Sequence, residues 1–201
     1  LALQDLTMTT IKPADGDALI IVDVQNDFLP GGALAVPDGD AVIAPLNHVL
    51  DIFHTRGLPI FASRDWHPPN HCSFREQGGP WPPHCIADSE GAQFPKRLQL
   101  PAFTAVISKA TTPTKDAYSA FEDTPLAMQL QMYGVKRVLV GGLATDYCVL
   151  NTVKDAVKHG FSVVLLTDCI RAVDVHPGDG ERALREMRAL GVVEVTSRDI
   201  Q

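Results

Sequence analysis

Positive charge is scarce in this chain: 17 Lys and Arg against 24 Asp and Glu leave a formal charge of −7. A nucleic acid has little to hold it, and an anionic membrane less. Long hydrophobic runs are also missing, none approaching the ~20 residues that a membrane helix needs. The opening Leu1-Ala-Leu-Gln-Asp-Leu-Thr7 has no basic start and no long apolar stretch, which argues against a secretory signal. Met8 stands as a candidate natural start, with the residues before it an added leader. Cysteine is sparse, four in 201 residues, with no CxxC pair. A chain long enough to bury a core needs no disulfide staples, so these read as reduced thiols in a cytoplasmic protein. No repeat or low-complexity tract interrupts the sequence. It reads as a single domain over 1–201, with 1–10 a loose extension.

What is present alternates. Ala18-Leu-Ile-Ile-Val-Asp23 is an apolar run closing on an acid, the pattern of a central strand buried on both faces. An amphipathic helix follows over Val42, Ile43, Leu46, Val49, Leu50 and Phe53, stopped at Gly57. Further strands read at Pro59–Ser63, Ala105–Ser108, Arg137–Val140, Ser162–Thr167 and Val192–Val195, with helices near 125–133, after Thr145, and near 180–190. The fold class is therefore α/β: three layers, a doubly wound six-stranded parallel sheet with helices on both faces.

The pivotal stretch is Val138-Leu-Val-Gly-Gly-Leu-Ala-Thr-Asp-Tyr-Cys148. It reads as a strand breaking at Gly141-Gly142 into a helix whose N-cap chemistry comes from Thr145 and Asp146. Cys148 would then occupy a first helical turn, where free N–H groups favour a thiolate and can hold an oxyanion. Taken alone, it reads more readily as a buried structural cysteine. Ligands in such sheets bind outside the carboxyl ends of the strands. Asp23, Asp65, Lys109 and Cys148 each follow one strand, so two acids, a base and a thiol converge on one rim. That convergence makes Cys148 a candidate nucleophile, Asp23 its proton acceptor and Lys109 a stabilising cation or a structural partner of Asp23.

Arg64 to about Pro101 is a long irregular connection, and loops of that length usually have a function. It carries Asp65-Trp-His67, His71 and Trp81-Pro-Pro-His84. An Asp and a His two apart point the same way in extended chain, and one more His would complete a set with open positions, suited to a catalytic metal. Zn²⁺, Fe²⁺ and Mn²⁺ all accept such ligands. The spacing leaves His71 and His84 in competition, and a loop of uncoordinated histidines also fits. His48, His54, His159 and His176 have no evident acidic or thiol neighbour, and Cys72 and Cys85 read as bystanders.

Asp23-Val-Gln-Asn-Asp-Phe28, Arg64-Asp-Trp-His67, Asn70-His-Cys-Ser-Phe74, Trp81-Pro-Pro-His84-Cys85, Ser108-Lys109 and Gly142-Leu-Ala-Thr-Asp-Tyr-Cys148-Val appear in that order. Together they resemble the nicotinamidases (pyrazinamidases) of the isochorismatase-like hydrolase superfamily, from about residue 18 to the C-terminus. The resemblance implies a triad of Asp23, Lys109 and Cys148, and one divalent metal (Zn²⁺, Fe²⁺ or Mn²⁺) on Asp65, His67 and His84, with His71 an extra ligand or a supporting group. It implies Phe28 and Trp81 as walls around a pyridine ring, with Leu34, Tyr118 and Tyr147 lining the pocket. It implies a cis peptide at Leu143–Ala144 and an oxyanion hole from the Ala144 and Cys148 amides. The activity implied is deamidation of nicotinamide to nicotinate and ammonia, and of pyrazinamide to pyrazinoic acid, through a thioester. The partner is thus a small aromatic amide, with no nucleic acid and no membrane, the protein being a monomer or homo-oligomer. Three rivals remain: an amidohydrolase for carbamoyl or ureido compounds, a non-catalytic protein on the same fold, and a thiol redox protein using Cys169 as resolving cysteine.

Overall fold

The computed structural model describes residues 10–201, so the expectations about residues 1–9 lie outside the described residues. Six strands form one sheet: β1 (Asp17–Val22), β2 (Ile60–Asp65), β3 (Ala105–Lys109), β4 (Arg137–Leu143), β5 (Ser162–Arg171) and β6 (Val193–Val195). They lie in the order β3-β2-β1-β4-β5-β6, and every neighbouring pair is parallel. The order reverses direction between β1 and β4, which opens a crevice at their carboxyl ends.

Strand β1 explains the three layers, because alternate side chains of a strand face opposite sides. Leu19 and Ile21 pack with Leu46, Val49, Leu50 and Phe53 of helix α1 (Ile43–Thr55). Ala18, Ile20 and Val22 join the opposite cluster. That side is covered by α2 (Leu126–Met132) through Leu126 and Leu130, by α3 (Leu150–Lys158) through Val153 and Ala156, and by α4 (Asp179–Ala189) through Met187. Every β1 residue is buried, as its unbroken apolar run predicts.

Three local expectations fail at or beside the pivotal stretch. Strand β4 does not break at Gly141-Gly142 but runs on to Leu143, with Val22 paired to Gly142. Glycine is needed there for contact rather than for a turn. At Gly142 φ is +127°, and a Cβ would lie 2.1 Å from the Val22 carbonyl oxygen. Strand β5 likewise continues past the expected Thr167 to Arg171, with a register shift opposite Val140–Gly142. Thr145 and Asp146 do not cap a helix either. The backbone enters a π-helical turn, Thr145–Val149, with Ala144 at the N-cap position and no side-chain cap. Asp146 instead accepts the Val173 and Asp174 N–H groups at 2.9 and 2.8 Å, tying this turn to the segment after β5.

The long connection after β2 is held by Asp27. Its carboxylate accepts the Cys85 N–H at 2.7 Å and the Ala33 N–H at 3.2 Å, while its own N–H reaches the Gly91 carbonyl at 2.9 Å. The loop is thereby folded back over the sheet's carboxyl rim.

Candidate active site

Asp23, just past β1, takes a left-handed backbone conformation (φ +49°) that aspartate tolerates better than most residues. Its carboxylate is fully buried and accepts the Ser63 Oγ–H at 2.6 Å. Lys109, the last residue of β3, places Nζ 2.9 Å from Asp23 Oδ2 and in direct contact with Asp65 Oδ1, and donates to the Ala117 carbonyl at 3.2 Å. The same ammonium lies 3.5 Å from Cys148 Sγ, which enters from the π-helical turn after β4. All four rim residues anticipated from the strand ends meet here. The lysine is more than a partner of Asp23, since it also touches Asp65 and the thiol.

Burial sets the protonation pattern. It pushes Asp23 above the ordinary carboxylate value against the pull of Lys109, and the nearby Asp65 charge adds to the rise. Asp65 feels the same burial, yet Lys109, His67 and His84 outweigh it and hold this carboxyl below the usual range. Burial would lower Lys109, but Asp23 and Asp65 reverse that and lift it well above its ordinary value. The Cys148 thiol is driven well up by burial and by the two carboxylates, with Lys109 opposing. Dehydration and the two carboxylates thus work against the thiolate that Lys109 favours.

The other oxygen of Asp65 faces a second group. Asp65 Oδ2 lies 3.6 Å from His67 Nε2 and 3.9 Å from His84 Nε2, and the three offer ligand atoms within 4.8 Å of one another, all buried. His67 Nδ1 meets the Ala110 carbonyl at 3.1 Å, and His84 Nδ1 the Pro82 carbonyl at 2.8 Å. These outer bonds fix both rings with Nε2 turned toward the carboxylate, the support that metal-binding histidines use. Two imidazoles and one carboxylate fit a divalent ion with open positions. His71 stacks on His67 at 4.1 Å, but its nitrogens face Ser73 Oγ at 2.7 Å and the Lys115 carbonyl at 3.1 Å, and it is outside this group of three.

A cavity opens beside both groups, with Asp65, His84 and Cys148 in its wall. Phe28, Leu34, Trp81, Tyr118 and Tyr147 line it, as do Leu143 and Ala144, whose peptide bond is cis. Trp81 Nε1 donates to Tyr118 Oη at 3.1 Å, and the Trp81 ring meets Tyr147 edge-on at 5.2 Å. A flat aromatic molecule fits such walls, with a thiol, a proton acceptor and a cation at one end.

Sequence reasoning missed Val36 and Val173, which also line the cavity, and Ser63, which holds Asp23. Ser63 was detectable only as a polar residue inside an apolar strand; the two valines carry no local signal. The histidines set aside include one with an acidic neighbour after all, His176 Nδ1 lying 3.6 Å from Asp179 on the exposed surface. Cys169 packs against Gly141 in the apolar cluster on the α1 side, whereas Cys148 belongs to the cluster on the other side. The sheet stands between them, which removes the resolving-cysteine arrangement.

The isochorismatase domain profile matches residues 17–199. The chain is 42% identical to the nicotinamidase of Escherichia coli (strain K12) over 90% of this chain and 95% of that protein. Among solved structures, the pyrazinamidase of Pyrococcus horikoshii in complex with zinc superposes with a TM-score of 0.86 at 52% identity, covering 90% of this chain and 99% of that one. PnC1 from L. infantum in complex with nicotinate superposes with a TM-score of 0.88 at 41% identity, covering 96% of this chain and 98% of that one.

Proposed function

This chain belongs to the isochorismatase family, and on that footing we infer that it is a nicotinamidase: a cysteine amidohydrolase with one divalent metal that converts nicotinamide to nicotinate and ammonia. Pyrazinamide, a similarly flat heteroaromatic carboxamide, is hydrolysed likewise, as the name of the Mycobacterium tuberculosis relative supports. The observation that carries the reading is the position of Asp65, whose two oxygens face Lys109 on one side and His67 and His84 on the other. A nucleophile centre and a metal group are thus joined beside one aromatic cavity. A carbamoyl or ureido substrate would make no use of the aromatic walls.

Asp65, His67 and His84 would hold the ion, which would supply Lewis acidity toward the pyridine ring. Phe28 and Trp81 face the ring, with Leu34, Tyr118 and Tyr147 closing the cavity. Asp23 takes the proton of the Cys148 thiol as Sγ attacks the amide carbonyl carbon. The Ala144 and Cys148 N–H groups receive the oxyanion, an arrangement in which losing one donor typically costs ~10²–10³ in rate. Lys109 keeps its positive charge beside the two carboxylates and the sulfur. Asp23 then passes its proton to the departing nitrogen, and the C–N bond breaks to leave a Cys148 thioester and ammonia. Asp23 next removes a proton from water, whose oxygen attacks the thioester. Nicotinate leaves and the thiol regains its proton.

The raised Asp23 supports this reading, since a carboxylate that holds a proton more readily than usual is a better proton carrier near neutral pH. We also read the chain as one domain acting in a reducing, cytoplasmic compartment. A single sheet containing all six strands supports the first point, and four unpaired cysteines support the second. The deciding experiment incubates the protein with nicotinamide, follows ammonia and nicotinate, and measures bound metal in the same sample. Release of both products by the wild type and none by Cys148→Ala is expected. No release by metal-loaded wild type would end the proposal.

A further inference from the structure

The catalytic acid turns its strand away from a neighbour that still needs a partner. Up to Val22 and Ser63, β1 and β2 pair in register, and the Asp23 N–H still reaches the Ser63 carbonyl at 3.1 Å. There the left-handed conformation of Asp23 ends the ladder, and the Gln25 N–H folds back onto the Asp23 carbonyl at 2.9 Å. Asp65, two residues beyond Ser63, is left facing no backbone from β1. Its N–H and carbonyl are met by the Gln25 side chain. Gln25 Oε1 accepts the Asp65 N–H at 2.8 Å, and Gln25 Nε2 donates to the Asp65 carbonyl at 2.8 Å. The primary amide also donates to the Ala92 carbonyl at 2.9 Å, so its hydrogen-bonding groups are used in a site with no exposure at all.

We propose that Gln25 is a positioning residue for the metal group: its side-chain amide replaces the missing peptide of β1 and fixes Asp65 from both sides of the backbone. This rests on the reading of Asp65 as a metal ligand. A peptide-like amide suits the task because it offers one donor and one acceptor in the geometry of a ladder, which neither a hydroxyl nor a carboxylate does. The cost of losing it is specific. A freed Asp65 backbone leaves two buried polar groups unmatched, and the carboxylate between Lys109 and the two histidines drifts. Residues that orient a metal ligand typically contribute 10–100-fold to metal affinity.

Gln25→Met keeps the length and volume and deletes all three bonds. The wild type and the variant are stripped with a chelator, and Zn²⁺ affinity is then measured by competition with a chromophoric chelator, alongside nicotinamide turnover. The variant should bind Zn²⁺ roughly 10–100-fold more weakly, with turnover recovering as Zn²⁺ is raised. Asn26→Ala is the control. It removes the Asn26 Nδ2 bond to the Glu90 carbonyl at 2.8 Å, loosening the same loop without touching Asp65. Its Zn²⁺ affinity should match the wild type. Wild-type Zn²⁺ affinity in Gln25→Met, or an equal loss in Asn26→Ala, would overturn the inference while leaving the functional reading intact. Should Gln25→Met not fold, Gln25→Glu serves, since it keeps an acceptor for the Asp65 N–H and loses the amide donor; unchanged affinity there would overturn the inference equally. A wild type that neither binds Zn²⁺ nor hydrolyses nicotinamide would overturn both.

Discussion

Lys109 Nζ lies 3.5 Å from Cys148 Sγ while in contact with the carboxylates of Asp23 and Asp65, so one fully buried ammonium faces three groups that are anionic at some stage of the reaction. Removing the ammonium leaves both carboxylates buried without a counter-charge, at about 3–5 kcal/mol. Lys109→Met should therefore lose stability on that scale in urea unfolding and lose most turnover at every nicotinamide concentration. A variant as stable as the wild type would show that the ammonium balances no buried charge.

Cys148→Ala removes the nucleophile and little volume. Ammonia release should vanish, while the folded protein keeps its circular dichroism and its metal content. Turnover within tenfold of the wild type would exclude attack by sulfur.

The two candidate third histidines should separate cleanly. His84→Ala removes a group whose Nε2 is 3.9 Å from Asp65 Oδ2 and should abolish stoichiometric metal. His71→Ala removes a ring already bonded to Ser73 and Lys115 and stacked on His67. Its effect should stay within the roughly 10–100-fold range of an outer support. Equal losses of metal in both variants would place His71 among the ligands.

Asp23 should trade stability for function. Its folded-state value is raised, so its neutral form is the one the fold favours. The sign follows from linkage: this contribution is fully present below the unfolded value of 3.8 and is lost as pH rises through the higher folded value. At neutral pH the ionised group works against folding. Asp23→Asn keeps an acceptor for Ser63 Oγ–H, so urea unfolding at pH 7 should show it at least as stable as the wild type, with turnover gone. A loss of more than about 1 kcal/mol, the worth of one ordinary hydrogen bond, would contradict this.

Much of the rim was legible because burial and chemistry share one code in a parallel sheet. An apolar run that closes on Asp23, and two shorter ones followed within three residues by Asp65 and Lys109, announce both the strands and their polar rim, and Gly57, Gly134, Gly160 and Gly191 mark where the chain turns after α1 to α4. What stayed hidden depends on partners far along the chain. Gly141-Gly142 reads as a break unless the closeness of Val22 and Cys169 is known. Asp146 reads as a cap, although its acceptors serve amides 27 and 28 residues away. Gln25 lies in the stretch Asp23–Phe28, yet its contacts are visible only once Asp65 and Ala92 stand beside it. The upward pressure on the Cys148 thiol was hidden for another reason: a turn's amides can be read from sequence, but the extent of dehydration around a sulfur cannot.

The two oxygens of Asp65 look in opposite directions, one toward the ammonium that faces the sulfur and one toward the paired imidazoles. A change of occupant at the imidazole end alters the negative charge left for the ammonium, and through it the reactivity of the sulfur. Filling or emptying the imidazole end should therefore change the reactivity of the sulfur, and an alkylating reagent aimed at Cys148 would register the difference.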